Sequence, residues 1–194
     1  MLTGVSGKKV SLLETERLTL REIAPEDGDC IVLWRSDRNV YRYFQAPHRL
    51  SKEEHMAWYE NEYVTDDHRF QWVGARKDTG EKIGVFGVKR DRTKGREAEI
   101  SYLLAGESRG CGFGSEAVKR IMEWCMENGM TSFKAMVHEE NRDSIGFIER
   151  MGFCKSGQTG CFILYRRQIL ARGGYWTDRI AGRVSGIDSC QAAA

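Results

Sequence analysis

Apolar and polar residues alternate through Arg17–Ile23 (RLTLREI), and a period of two predicts a strand with one buried face. Pro25 followed by Glu26 and Asp27 predicts a helix start, running to about Arg35. Ser51 and Glu54 are spaced as a capping box, which predicts a second helix from Lys52 to about Tyr63. Strand-like runs at Phe70–Arg76 and Lys82–Lys89 flank the turn Asp78-Thr79-Gly80-Glu81, the pattern of a hairpin. After a polar turn at Arg92–Gly95, Glu97–Ala105 reads as a further strand. From Ser115 to Asn128, Val118, Ile121, Met122 and Cys125 recur at helical spacing, and Gly129 is placed to end that helix. Ser132–His138 is strand-like, and a short helix from about Asp143 to Met151 stops at Gly152. Two last strands are expected at Cys161–Ile169 and Gly174–Gly182, turning at Gly173-Gly174.

The order β-α-α-β-β-β-α-β-α-β-β combines hairpins with one strand–helix–strand crossover. Hairpins give antiparallel neighbours and the crossover gives a parallel pair. The expectation is an α/β (α+β) fold with a mixed, mostly antiparallel central sheet flanked by helices on both faces. Residues 1–184 read as a single domain, and the small, polar residues 185–194 as a disordered tail.

Candidate chemistry concentrates in Ser108–Ser115 (SRGCGFGS), where a strand enters a glycine-rich turn that opens directly into a helix. Such a turn presents backbone N–H groups and a positive helix end to an anion. Gly110, Gly112 and Gly114 remove side chains where the backbone would approach phosphate oxygens, and Arg109 adds a charged donor. The loop lacks the Gly-Lys-Ser/Thr ending of a P-loop, and its G-x-G-x-G spacing is not the G-x-G-x-x-G of a dinucleotide fold.

Charge narrows the partners. A net charge of +2 with scattered Lys and Arg gives no basic face for nucleic acid. The six cysteines, Cys30, Cys111, Cys125, Cys154, Cys161 and Cys190, form no C-x-x-C pair and stand near no His at metal-ligand spacing, so reduced thiols and no metal are expected. No apolar run reads as a signal peptide or a membrane span, which points to a cytoplasmic protein.

The element order, Arg109-x-x-Gly112-x-Gly114, and Asn141-x-x-Ser144 continuing into Glu149-Arg150-Met151-Gly152-Phe153 together resemble the GNAT superfamily of acetyl-CoA-dependent N-acetyltransferases, over roughly residues 15–184. AEISYLLA is similar to the fourth strand of the Rim-type branch, which acetylates N-termini of ribosomal proteins. The resemblance implies acetyl-CoA as co-substrate. Its diphosphate would lie on Arg109, Gly110, Cys111, Gly112, Phe113, Gly114 and Ser115. Its pantetheine arm would pair with the backbone of Tyr102, Leu103 and Leu104 like an added strand, with Asn141 and Ser144 beside it. Asn141 reads equally well as a helix N-cap.

Acyl transfer to an amine needs a base, because the amine is protonated at neutral pH. Glu99 occupies a position similar to one the family uses, and Glu97 alternates to the same face. Many members carry a Tyr on the final helix that protonates the leaving thiolate; the matching position here is Ile148. Ser144, one turn away, is the alternative donor, with Tyr102 and Cys154 behind it. Ile148→Tyr would raise turnover if leaving-group protonation limits the rate. Cys111 is read as a loop position rather than an acyl-accepting nucleophile, since the loop must hold the diphosphate.

Acceptor choice is assigned to residues 33–61, rich in aromatics and Arg. Trp34-Arg35 leading to Val40, then His55-x-x-Trp58, resembles acetyltransferases of nucleotide-linked amino sugars, and an N-x-x-V-x-R-Y-like run is shared with polyamine and Rim-type enzymes. Tyr41, Tyr43 and Phe44 could stack on a base, and Arg35, Arg38 or Arg42 could meet phosphate. His55 and Trp58 complete the acceptor set, with plain helix packing the alternative for the aromatics. The expected function is acetyl transfer to a primary amine of a small molecule such as a nucleotide-linked amino sugar, by a monomer or homodimer. A protein N-terminus ranks second and a polyamine third. A non-catalytic acyl-CoA-binding sensor is the rival from another class.

Overall fold

The structure is a computed structural model and describes residues 10–169. One sheet of eight strands runs through it in the order β1-β2-β3-β4-β5-β6-β8-β7. Its strands are β1 (Leu13–Glu14), β2 (Leu18–Glu22), β3 (Arg69–Arg76), β4 (Lys82–Arg90), β5 (Glu97–Leu104), β6 (Ser132–His138), β7 (Cys154–Thr159) and β8 (Phe162–Gln168). All neighbours are antiparallel except β5 and β6. The mixed, mostly antiparallel sheet and its single parallel step are thus as the sequence predicted.

Helices α1 (Gly28–Arg35), α2 (Arg38–Tyr41) and α3 (Lys52–Trp58) serve one face, and α4 (Phe113–Glu127) and α5 (Arg142–Arg150) the other. The α4 face named from its spacing is buried at Val118, Ile121, Met122 and Cys125. These residues pack with Trp72, Phe86, Ile100 and Phe133 in the main core. Ile23, Ile31, Tyr63 and Val73 form the smaller core under α1 and α3. Ser51 and Glu54 make the capping box of α3. Beyond α3 the helix continues as a π-helical turn, Tyr59–Tyr63. Gly129, with φ +81°, terminates α4 in the left-handed conformation.

The C-terminal hairpin differs from the expectation. The strand at Cys161–Ile169 is present as β8, but its partner is β7, which precedes it, and the turn is at Gly160 rather than Gly173-Gly174. β7 reads CKSGQT and is an outer strand paired on one side only, so no alternation of apolar residues marks it. The expected strand at Gly174–Gly182 and the tail at 185–194 lie outside the described residues.

A buried ion group fixes α1 against the sheet. The Asp27 side chain is fully buried. It accepts from both Nη atoms of Arg21 at 2.7 Å, from Lys82 Nζ at 2.7 Å and from the Ala24 N–H at 2.9 Å. Burial alone would push this carboxyl up, but the bonds from Arg21 and Lys82 hold it down at about 2. A depressed carboxyl stabilises the fold above its ordinary value of 3.8, and that contribution is lost as pH falls towards about 2. Arg21 and Lys82 both reach solvent, so Asp27→Ala loses the charge-assisted bonds without stranding buried cations, and we expect it to cost about 1–3 kcal/mol. Urea unfolding at neutral pH checks the loss. The gap between variant and wild type should narrow in acid.

Candidate active site

β5 and β6 pair only over Glu97–Glu99 against Ser132–Lys134. Beyond that point β6 stays with β8 as far as His138. β5 stays with β4 through Leu104, opposite Gly84. The strands therefore diverge, and β5 from Ile100 onward has a sheet neighbour on one side only. Backbone N–H and C=O groups on that free side can pair with an extended ligand arm. The segment contains Tyr102, Leu103 and Leu104. Along this segment Tyr102 packs on Phe147 and Leu104 on Gly114.

The glycine turn follows at the open end. Gly110 and Gly112 have φ of +75° and +81°, the left-handed region that favours glycine. Gly114 works differently. It is buried in α4, and a Cβ there would come within 2.8 Å of Leu104 Cδ1. Its missing side chain lets α4 close onto β5. Arg109 is exposed and donates to the Leu104 carbonyl at 3.3 Å. Phe113 is buried in the main core, so only its backbone faces the turn. Cys111 is exposed, and its carbonyl accepts from Arg17 Nη1 at 3.1 Å. Ser115 lies in the first turn of α4.

Across the opening, Asn141 caps α5 by accepting the Ser144 N–H at 3.2 Å, the capping role that its sequence position allowed. Ser144 Oγ and the Tyr102 hydroxyl are hydrogen-bonded at 2.7 Å. Burial pushes the Tyr102 phenol up to about 12, so it keeps its proton at neutral pH.

The opposite face of β5 carries Glu97, Glu99 and Ser101 by alternation. Glu99 Oε2 stands 3.9 Å from Lys134 Nζ and is partly exposed. Glu97 is enclosed by Lys94 at 4.0 Å, Lys134 at 3.7 Å and Arg166 at 3.7 Å. Three cations around one buried carboxylate make a structural cluster, so Glu97 is set aside as a second base.

The profile of the Acetyltransferase (GNAT) domain matches residues 17–154. The chain belongs to the GNAT acetyltransferase family. It is 30% identical over 149 residues to the uncharacterized N-acetyltransferase YoaA of Bacillus subtilis, covering 75% of this chain and 84% of the relative. Its fold is similar to that of the spermidine N-acetyltransferase of Vibrio cholerae solved with CoA and spermine (TM-score 0.67, 22% identity, 78% and 94% of the two chains). It is also similar to RimL, a ribosomal L7/L12 alpha-N-protein acetyltransferase solved with CoA (TM-score 0.70, 16% identity, 81% and 98%). An acetyl-CoA-dependent acyltransferase follows from membership. The free β5 edge and the side-chain-free turn suit that co-substrate. No group of side chains that could hold a metal occurs among the described residues.

Within this GNAT domain, Ile148 is fully buried in the main core. It serves packing there, and the nearby polar groups are Ser144 and Tyr102. His55 is also interior, at 4% exposure. It stacks on Trp58 at 5.6 Å and abuts Gly28, and burial pushes its imidazole down. Trp58 packs into the core under α3. His55 thus packs between α1 and α3, while Trp58 stays partly exposed. Tyr41 is half-buried at the end of α2. Phe44 lies against Arg35, whose guanidinium carbon is 4.6 Å from the ring centroid. Tyr43 lies against His138, with ring centroids 5.5 Å apart and tilted by 54°, and so carries this segment across to the end of β6. His138 and Lys134 were not singled out from the sequence. The usable signal was alternation: they share the face of β6 that continues from Glu99.

Proposed function

We propose that this acetyltransferase acts on a small primary amine that also carries an anionic group, for which a nucleotide-linked amino sugar is the representative. The observation that carries this reading is Arg35. Among the described residues its guanidinium meets no carboxylate, its buried Nε has no hydrogen-bond partner, and burial pushes its pKa down. Only Glu54 acts on it as an opposite charge, with no ion pair formed, and a cation so placed is offset further by an incoming carboxylate or phosphate. The guanidinium carbon lies over the Phe44 ring, and a guanidinium beside an aromatic face can still meet an oxyanion through its N–H groups. A polyamine suits this face less, because Glu97 and Glu99 already face Lys134. A protein N-terminus is the second reading, favoured by the likeness to RimL.

The reaction we infer is direct attack of the amine on the thioester in a ternary complex. Glu99 takes the amine proton, directly or through water. Backbone N–H groups at the end of β5 hold the tetrahedral oxyanion. The Tyr102–Ser144 pair faces the leaving sulfur. A phenol at about 12 is a far weaker acid than a thiol of about 8.5, so the pair stabilises the thiolate by hydrogen bonding without delivering a net proton.

The test is thiol release from acetyl-CoA across amino sugars, nucleotide-linked amino sugars, polyamines and peptide N-termini. Turnover should be greatest with the nucleotide-linked class. Arg35→Ala should raise KM for that acceptor about tenfold or more while leaving KM for acetyl-CoA little changed. Preference for spermidine or a peptide, with no effect of Arg35→Ala, would overturn the assignment. CoA binding without turnover on any amine would favour the sensor.

A further inference from the structure

Glu116 stands in the first turn of α4, directly behind the glycine turn. A carboxylate there lies where the loop has to receive a diphosphate, and like charges at that range repel. The β1–β2 hairpin answers it. Thr15 Oγ1 donates to Glu116 Oε1 at 2.5 Å, the Arg17 N–H donates to the same oxygen at 2.8 Å, and Arg17 Nε and Nη2 both reach Oε2 at 2.7 Å. The same guanidinium lies over the Phe113 ring at 4.6 Å and binds the Cys111 carbonyl through Nη1. Its Nη2 would sit 3.3 Å from a Cβ built on Gly112. Although burial opposes it, the bonds from Thr15 and Arg17 hold the Glu116 carboxyl below the usual carboxylate range, so it is charged and in need of its partner.

We infer that Arg17, from outside the loop, is a positioning residue for the donor's diphosphate: it neutralises Glu116 and ties the Cys111 carbonyl back, so that the turn offers an anion only N–H groups. The inference rests on reading Arg109–Ser115 as the diphosphate loop. It places the last requirement for cofactor affinity nearly a hundred residues upstream of the motif, in a hairpin with no phosphate-binding pattern of its own. Arg17 remains half-exposed, so its role is electrostatic more than packing.

The experiment is calorimetric titration with CoA, which needs no acceptor. Arg17→Ala should weaken CoA binding about 10–100-fold, the range for losing a charge-assisted contact. Glu116→Gln added to Arg17→Ala should restore most of that affinity, because the stranded carboxylate is gone. A residue that only braced the fold would not show this rescue. Should Arg17→Ala fail to fold, Arg17→Gln keeps a hydrogen bond to Glu116 without the charge and should show the same loss and the same rescue. Unchanged affinity in the single variant, or a double variant no better than the single, overturns the inference. Gly112→Trp that binds CoA as wild type does would overturn the loop reading itself, a separate outcome.

Discussion

Gly112→Trp should abolish measurable binding of acetyl-CoA. Gly112 sits at φ +81°, where a bulky residue costs about 1–3 kcal/mol of backbone strain. Its Cβ position lies beside Arg17 Nη2, so an indole must either displace Arg17 from Glu116 or project into the mouth of the turn. Both routes remove donors from the diphosphate. Titration with acetyl-CoA, with a thermal melt to confirm folding, checks the result. Gly110→Ala is the control: a Cβ there meets nothing within 4 Å, so only the strain of a positive φ remains and affinity should fall modestly. Wild-type affinity in Gly112→Trp would mean that the co-substrate is held elsewhere.

Glu99→Gln should lower kcat/KM for the amine at neutral pH by about 10²–10⁴-fold, the range of general-base contributions. The amide keeps the size of the side chain and its reach towards Lys134, so packing changes little. The defect should shrink as pH rises, because the acceptor then loses its proton to solvent without help. A full pH–rate profile is therefore the decisive measurement. A loss of equal size at every pH would assign Glu99 to positioning Lys134 and leave another group as the base.

Much of the site was legible because short-range rules specify it. Ser51 and Glu54 declare a capping box, Asn141 caps the helix it precedes, and Gly110 and Gly112 occupy left-handed turns that glycine alone suits well. Illegible residues were those whose role depends on what another element places beside them. Glu97 and Glu99 look alike on one strand and share Lys134, and only Lys94 and Arg166 separate the enclosed carboxylate from the available one. Ile148 and His55 carried family-like spacing, and only the fold shows that both side chains lie inside. β7 escaped notice because an outer strand of polar residues has no buried face to write a pattern.

The sequence by itself determined the strand and helix periods, the glycine-rich turn and the family, since each follows from neighbours in the chain. The tertiary structure alone decided where β5 and β6 part, that Gly114 admits Leu104, that the buried Nε of Arg35 has no hydrogen-bond partner among the described residues, and that Arg17 pairs with Glu116. These depend on distances between residues far apart in sequence, and a charge's meaning is set by its neighbours in space.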